Sequence, residues 1–191
     1  PVTAKPHMYS QSNKIVLLYS GNIGEKQDWQ SFIEFCNDID PNKYEVIIVG
    51  AGVKKEWLVE QTTHFSNVKH YPPVSYMDLS DLLCSVDIHL LFQKPNFFEA
   101  VMPSKVLGMM ASAKPSLIIG HKDSEINSIF KSIDIGLYYD KYSKEVVKEL
   151  DKLTSHTSRK KEMGKNARAY VLEHFSKEEV LKSVLKKIDS L

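Results

Sequence analysis

The sequence predicts an α/β domain in which a doubly wound, parallel six-stranded sheet is covered by helices on both faces. Six short, apolar and mostly β-branched runs recur along the chain with helical patterns between them: Ile15–Tyr19, Tyr44–Val49, Val68–His70, Ile88–Phe92, Ser116–Ile119 and Ile135–Tyr139. Strands that alternate with helices at about 20–30 residues per unit are typical of βαβ crossovers, which join parallel strands. The length of 191 residues suits one such domain.

The helical segments between these runs are amphipathic. Asp28 is a candidate N-cap for the first helix, in which apolar residues recur at i, i+3, i+4 and i+7. These residues are Trp29, Phe32, Ile33 and Cys36. A similar stripe in the third helix consists of Tyr76, Leu79, Leu82, Leu83 and Val86. Each stripe predicts a helix that packs one face against the sheet.

The two ends of the chain differ from this pattern. Residues 1–13 are polar, so we interpret them as a linker or as the edge at which a longer protein was cut, and we place the domain at residues 14–191. Three consecutive helical patterns follow the sixth strand, near residues 143–153, 158–174 and 177–190. The last begins with Ser176 and Glu179 at the spacing of a capping box. A terminal amphipathic helix that follows no strand often packs outside its own sheet.

Composition argues against several functional classes. No apolar run approaches the ~20 residues of a membrane span. Cys36 and Cys84 are too few for a disulfide scaffold and suit a reducing cytosol. A net charge of +1 argues against nucleic-acid binding. Residues 141–191 nevertheless carry 13 Lys and Arg against 8 Asp and Glu, a net charge of +5. This excess fits solvated helices or contact with an anionic membrane face. The scattered histidines predict no metal site.

The first candidate site is the turn that follows strand one. Gly21 and Gly24 would let backbone amides approach a ligand, and Lys26 would add a positive charge. The helix after this turn would present its positive N-terminal end to a phosphate. The G-x-x-G spacing matches neither the dinucleotide fingerprint nor the P-loop. A tight turn with a surface lysine is therefore an equally good interpretation of this segment alone.

The second candidate site is the segment Met102–Pro115, which follows strand four. Pro103 suits the first turn of a helix. Ser104 and Lys105 would then place a hydroxyl group, amide groups and a positive charge at a second helix N-terminus. Ligands of doubly wound sheets bind at the carboxyl ends of the strands, where the strand order reverses. Two helix N-termini with one lysine each, after strands one and four, predict a site for a diphosphate.

Three segments resemble one enzyme family: "YSGNIGEKQ", "MPSKVLGMMASAKP" and "KEMGKNARAYVLEHFS". They are similar to the donor-binding half of family-4 GT-B retaining glycosyltransferases, in the branch that makes bacterial surface polysaccharides such as colanic acid and O-antigen. The likeness covers about residues 14–188 in the same order. It implies a Rossmann-like domain that is one half of a GT-B architecture.

The resemblance also implies an activity. The complete enzyme would transfer a sugar from a nucleoside-diphosphate sugar, with UDP or GDP as the nucleotide, to an acceptor in capsule, exopolysaccharide or lipopolysaccharide synthesis. It would need no cofactor and no metal, and it would work in the cytoplasm or at the inner face of the cell membrane. The N-terminal acceptor domain would belong to the same chain or to a partner subunit, so the isolated domain is expected to be inactive.

Individual roles follow from the same resemblance. Lys26 and Lys105 would neutralise the leaving diphosphate, and Glu99 would contact the donor sugar. Other donor contacts would come from Gly21, Asn22, Gly24, Gly50, Gly52, Val74 and Ser104. Glu99 is one residue out of step with the sugar-binding glutamate of the family. Gly108 stands where the family carries its ribose-binding glutamate, so the ribose contact is unassigned.

Two other functions remain open at this point. The broken glutamate pattern would also suit a non-catalytic interaction domain with a decayed nucleotide pocket, and half of a GT-B nucleotide-sugar epimerase would share the same fold. A nucleotide-dependent oxidoreductase is disfavoured, because strand two ends in Val49–Gly52 without the acidic residue that holds a ribose hydroxyl in such enzymes.

Overall fold

The computed structural model describes residues 3–96, 104–176, 178, 179 and 181. The strands are β1 (Ile15–Ser20), β2 (Tyr44–Val49), β3 (Val68–Tyr71), β4 (Ile88–Phe92), β5 (Ser116–Ile119) and β6 (Gly136–Tyr139). The helices are α1 (Trp29–Asp38), α2 (Lys55–Thr62), α3 (Tyr76–Cys84), α4 (Ser104–Ala111), α5 (Glu125–Ser132), α6 (Lys144–Ser155) and α7 (Thr157–Phe175). The predicted strand limits are correct to within one residue.

The sheet has the strand order β3-β2-β1-β4-β5-β6, and every neighbouring pair is parallel. The chain moves outward from β1 to β3 and then crosses to β4 on the other side of β1. The strand order therefore reverses between β1 and β4, and the carboxyl ends of both strands lie at one edge of the sheet. The predicted parallel, six-stranded α/β fold is confirmed.

The central strands are buried on both faces. All six residues of β2 are buried. Val46 and Ile48 belong to the large apolar cluster that includes the inner face of α1, whereas Ile47 and Val49 pack with Leu82 of α3 on the opposite face. A strand that is buried at every position, and apolar at all but one (Glu45, whose carboxylate pairs with Lys69), is what a two-sided parallel sheet favours.

The structure confirms the predicted N-cap of α1 and contradicts part of the predicted apolar face of α3. The Asp28 side chain accepts a hydrogen bond from the Ser31 amide at 3.2 Å, so the predicted N-cap of α1 is confirmed. In α3, Leu82 is fully buried, but Tyr76 is 88% exposed. The prediction that Tyr76 packs on the sheet is wrong, because Tyr76 is the first residue of α3 and no described part of the chain covers its side chain there.

Part of the N-terminal segment packs on the domain. The ring of Tyr9, in a short 3-10 helix (Met8–Ser10), stacks on the ring of Tyr71 with centroids 4.0 Å apart. The Ser10 hydroxyl donates a hydrogen bond to the Ser85 hydroxyl at 2.8 Å. We interpreted these residues as part of a linker. The two contacts instead fix them to β3 and to the C-terminal end of α3.

The stack predicts a measurable stabilisation. Tyr9→Ala should lower the free energy of unfolding by about 1–2 kcal/mol, because the substitution removes an aromatic pair and the apolar area that it buries. In a domain of this size the unfolding temperature should fall by about 3–6 °C. Thermal denaturation followed by circular dichroism measures the change. Met8→Ala is the matched control, since Met8 is 72% exposed; equal effects of the two substitutions would contradict the role of the stack.

The C-terminal helices agree with the prediction as far as they are described. The Glu179 amide lies 3.4 Å from the Ser176 hydroxyl, as the capping box requires. Most of the predicted helix at 177–190 lies outside the described residues. None of the described helices is long and apolar enough to span a membrane.

Candidate functional site

Two of three neighbouring clefts lie at the carboxyl edge of the sheet, around the point where the strand order reverses, and the third runs along α3 and α4 to their C-terminal ends. The central cleft has a volume of about 530 Å³ and is lined by Gly21, Tyr76, Leu79, Ser104, Lys105 and Gly108, among others. The β2 cleft, about 310 Å³, is lined by Gly21, Asn22, Gly50, Ala51, Pro73 and Val74, among others. The α3–α4 groove, about 450 Å³, is lined by Tyr76, Met77, Leu83, Cys84, Gly108 and Arg168, among others.

Lys105 is held in the central cleft by Tyr19. Its ammonium group donates a hydrogen bond to the Tyr19 hydroxyl at 2.9 Å and lies 4.2 Å from the centroid of the Tyr19 ring. The Tyr19 hydroxyl in turn donates to the Asn22 carbonyl at 2.7 Å. Burial raises the pKa of Tyr19, so this hydroxyl stays protonated and keeps both bonds. Tyr19 was predicted only as a strand residue, because its spacing gives no sign of this role.

Gly21 makes room for this lysine. A Cβ atom on Gly21 would lie 2.6 Å from Cε of Lys105, and the φ angle of Gly21 is +132°, which L side chains rarely adopt. Any other residue at this position would strain the backbone and shift the end of the Lys105 side chain. The predicted pairing of the Gly21 turn with Lys105 at one edge of the sheet is therefore what the structure shows.

Glycines also bring the loops after β1 and β2 into backbone contact. The Gly21 amide donates to the Val49 carbonyl at 2.9 Å. A Cβ atom on Gly50 would overlap the Gly21 carbonyl oxygen, and one on Gly52 would overlap the Ile23 carbonyl oxygen. Gly50 and Gly52 thus hold the two loops together. Of these two glycines, Gly50 also lines the β2 cleft.

Gly24 and Lys26 are placed differently from the other predicted residues. The Gly24 amide donates to the side chain of Gln27 at 3.1 Å, and its carbonyl accepts from the Trp29 indole at 2.8 Å. Its polar groups are used inside the turn. Lys26 is exposed and lines none of the three clefts. The Asp28 carboxylate caps the N-terminus of α1, and the contact of Lys26 with the diphosphate stays a prediction.

The N-terminus of α4 opens into the central cleft. Ser104 and Lys105 are its first two residues, and both line this cleft. Amide groups in the first turn of a helix have no partner within the helix, and the helix dipole adds positive potential there. Together with the Lys105 ammonium group, this N-terminus favours an anionic ligand. Glu99, the predicted sugar ligand, lies outside the described residues.

The floor of the central cleft is uncharged. His89 on β4 is 1% exposed, and its Nε2 atom lies 2.9 Å from the Ser112 hydroxyl. Burial, with a smaller contribution from Lys114, lowers the pKa of His89 to about 3, so the ring is neutral at physiological pH. The described part of the chain contains no group of three or more His, Cys, Asp or Glu side chains that could hold a metal ion.

Sequence comparisons connect this chain to one family. Residues 5–170 match the family model described as glycosyl transferases group 1. The chain is 34% identical over 119 residues to WcaI of Escherichia coli (strain K12), which is named as a colanic acid biosynthesis glycosyl transferase. The alignment covers 61% of this chain and 29% of WcaI, so this chain matches less than a third of that relative.

Solved structures share the fold. Alr3699/HepE of Anabaena, in complex with UDP-glucose, superposes with a TM-score of 0.75 at 16% identity, over 94% of this chain and 50% of that protein. WaaG, a glycosyltransferase involved in lipopolysaccharide biosynthesis, gives 0.67 at 18% identity, over 94% of this chain and 48% of WaaG. The catalytic domain of cholesterol-α-glucosyltransferase from Helicobacter pylori gives 0.69 at 10% identity, over 85% of this chain and 99% of that domain.

Proposed function

Since residues 5–170 carry the family match, the chain belongs to the glycosyl transferases group 1 family, and we propose that it is the nucleotide-sugar-binding domain of a glycosyltransferase. The complete enzyme would move a sugar from a nucleoside-diphosphate sugar to a hydroxyl group of an acceptor in the synthesis of a bacterial surface polysaccharide. One observation carries this proposal: Lys105 is fixed over Gly21 at the N-terminus of α4, in a cleft at the switch point of the sheet.

The arrangement suits the departure of a nucleoside diphosphate. As the bond between the sugar and the diphosphate breaks, negative charge grows on the phosphate oxygens while the sugar becomes oxocarbenium-like. The Lys105 ammonium group, the first amide groups of α4 and the Ser104 hydroxyl would contact those oxygens. Because Tyr19 already orients Lys105, little reorganisation is needed when the charge develops, which is how such sites lower a barrier.

The base and the sugar of the nucleotide would occupy the adjoining clefts. The β2 cleft begins at Gly21 and extends to Gly50, Ala51 and Val74. It adjoins the central cleft, since Gly21 and Leu79 line both clefts. A diphosphate at Lys105 would therefore leave its nucleoside within reach of the loop after β2 and of the segment between β3 and α3.

The acceptor would bind to a second domain that faces this edge. The chain spans about half the length of HepE and of WaaG. Three apolar side chains at the carboxyl edge are more than four-fifths exposed: Val53 (82%), Tyr76 (88%) and Met77 (83%). Such side chains at the rim of a ligand cleft suit contact with another protein surface. We place the acceptor-binding half of the enzyme against this rim.

The proposal is tested by nucleotide binding. We expect one nucleoside diphosphate among UDP, GDP, ADP and dTDP to stabilise the chain by about 2.7 kcal/mol when present at about 100 times its Kd. For a domain of this size the unfolding temperature should rise by roughly 5–10 °C. A thermal-shift titration measures the rise, and CMP, which has a single phosphate, is the control. The absence of a shift with every nucleoside diphosphate would contradict the proposal.

A further inference from the structure

The ring of Tyr19 is locked in the core of the domain. Tyr19 is the penultimate residue of β1, and its side chain is fully buried. The ring meets the Trp29 indole edge to face with centroids 4.9 Å apart, and it meets the Phe32 ring in the same way at 6.3 Å. In a close-packed core the ring cannot change its torsion angles without displacing these neighbours. The hydroxyl group at the end of the ring is therefore held at a fixed point beside the Lys105 ammonium group.

The Tyr19 hydroxyl joins two parts of the site through hydrogen bonds whose direction is fixed. An ammonium group can only donate, and a carbonyl oxygen can only accept. The hydroxyl therefore accepts a bond from Lys105 at 2.9 Å and donates its own hydrogen to the Asn22 carbonyl at 2.7 Å. Lys105 lines the central cleft, and Asn22 lines the β2 cleft. One buried hydroxyl group thus connects the phosphate side of the proposed site with its nucleoside side.

The Lys105 side chain is guided at two points along its length. Its Cε atom passes over Gly21, where a Cβ atom would lie 2.6 Å away, and its ammonium group reaches the Tyr19 hydroxyl. A lysine side chain is otherwise a flexible stem that loses conformational entropy when a ligand fixes it. An ammonium group carries three hydrogens, so the bond to Tyr19 is compatible with a bond to a phosphate oxygen. Tyr19 therefore prepares the lysine for an anion before the anion binds.

We infer that Tyr19 is a positioning residue for the nucleotide: its hydroxyl group strengthens the binding of nucleoside diphosphates by orienting Lys105, although Tyr19 itself is fully buried. The inference rests on the proposed function. The two hydrogen bonds of the hydroxyl allow two roles, which are orientation of Lys105 and support of the turn at Asn22. Only the first role requires that the effect of the hydroxyl on affinity depends on the presence of Lys105.

A double-mutant cycle on the whole chain separates these roles. Isothermal titration calorimetry measures the dissociation constant of the diphosphate that binds best among UDP, GDP, ADP and dTDP. The four proteins are the unsubstituted chain, Tyr19→Phe, Lys105→Met and the double variant. Phenylalanine keeps the buried ring, and methionine keeps an unbranched side chain without the charge.

We expect Tyr19→Phe alone to weaken binding by about 3–10-fold, which corresponds to the loss of one hydrogen bond. In the Lys105→Met background the same substitution should change the dissociation constant by less than about twofold, since the group that it positions is already absent. Equal weakening in the two backgrounds would overturn the inference, because the hydroxyl would then act through the turn. An unchanged affinity in Tyr19→Phe would also overturn it. Either result leaves the proposed function intact, whereas no binding of any of the four diphosphates by the unsubstituted chain would overturn both.

Tyr44→Phe is the matched control for stability. Tyr44 is also fully buried, and its hydroxyl group is hydrogen-bonded to Asp151 at 2.8 Å and to Thr154 at 2.9 Å, outside the lining of the three clefts. Both substitutions remove a bonded, buried hydroxyl group, so thermal denaturation should show a fall of about 2–4 °C in each unfolding temperature. Tyr44→Phe should leave the dissociation constant unchanged. If it weakened binding as much as Tyr19→Phe does, lost stability would explain both effects and the inference would fail.

Discussion

Lys105→Ala is expected to weaken the binding of nucleoside diphosphates by about 10–100-fold, because a hydrogen bond to a charged group contributes about 1.5–3 kcal/mol. In the complete enzyme the loss should be larger for the turnover number, about 10²–10³-fold, since removing one donor that stabilises developing charge raises the barrier by roughly 3–4 kcal/mol. The fold should tolerate the substitution. The Tyr19 hydroxyl keeps its bond to the Asn22 carbonyl when Lys105 is removed.

Calorimetric titration with the best-binding diphosphate measures the first effect, and initial rates of the two-domain enzyme measure the second. Lys165→Ala on the exposed side of α7 removes the same charge away from the three clefts, and it should leave binding unchanged. If Lys105→Ala binds the nucleotide within threefold of the unsubstituted chain, Lys105 does not contact the phosphates.

The fold was predictable because its signals are local. Each buried strand is a mostly apolar run, and each run is separated from the next by a helical pattern, so the number and direction of the strands follow from the sequence. The order in which the strands pair is also constrained, because crossovers in parallel sheets are short and right-handed. For the same reason Asp28 could be identified as an N-cap, since its partner, the Ser31 amide, is three residues away.

The set of residues that the fold brings together at the site was predictable only in part. Gly21, Ser104 and Lys105 follow strands that end at one edge, so the topology alone brings them together. The role of Gly24 depends instead on how the turn satisfies its own polar groups. Its amide and carbonyl bind side chains further along the same turn, the Gln27 amide and the Trp29 indole, and no glycine spacing reveals that.

Long-range contacts account for the remaining differences. Tyr9 stacks on Tyr71, 62 residues away in the sequence, and a polar segment without periodicity gives no sign of such a partner. Tyr76 continues the apolar spacing of α3 but is 88% exposed. Helical periodicity identifies the face of a helix and not the length over which that face is covered. The side chains that line a cleft are therefore the hardest to predict. They occur where the apolar spacing of a helix continues into residues that the core does not cover.

Gly50→Ala is expected to lower the free energy of unfolding by about 3 kcal/mol, because the added methyl group would overlap the Gly21 carbonyl oxygen and backbone atoms cannot rotate away. The unfolding temperature should fall by roughly 6–12 °C for a domain of this size. The two loops can separate only by moving Gly21, and Gly21 is the residue that leaves room for Lys105. Gly50→Ala should therefore also weaken the binding of nucleoside diphosphates by more than tenfold at a temperature where the variant is folded.

Gly108→Ala is the control for stability, because this substitution is expected to raise the free energy of unfolding and not to lower it. Its methyl group has space beside Leu83, and alanine stabilises a helix interior by about 0.5–1 kcal/mol relative to glycine, so its unfolding temperature should rise by about 1–4 °C. Thermal denaturation of both variants measures the pair, and titration of Gly50→Ala below its transition measures the effect on the site. If Gly50→Ala were as stable as the unsubstituted chain, the loops after β1 and β2 would not be in backbone contact. If it were destabilised but bound the nucleotide normally, that contact would support the fold without positioning Lys105.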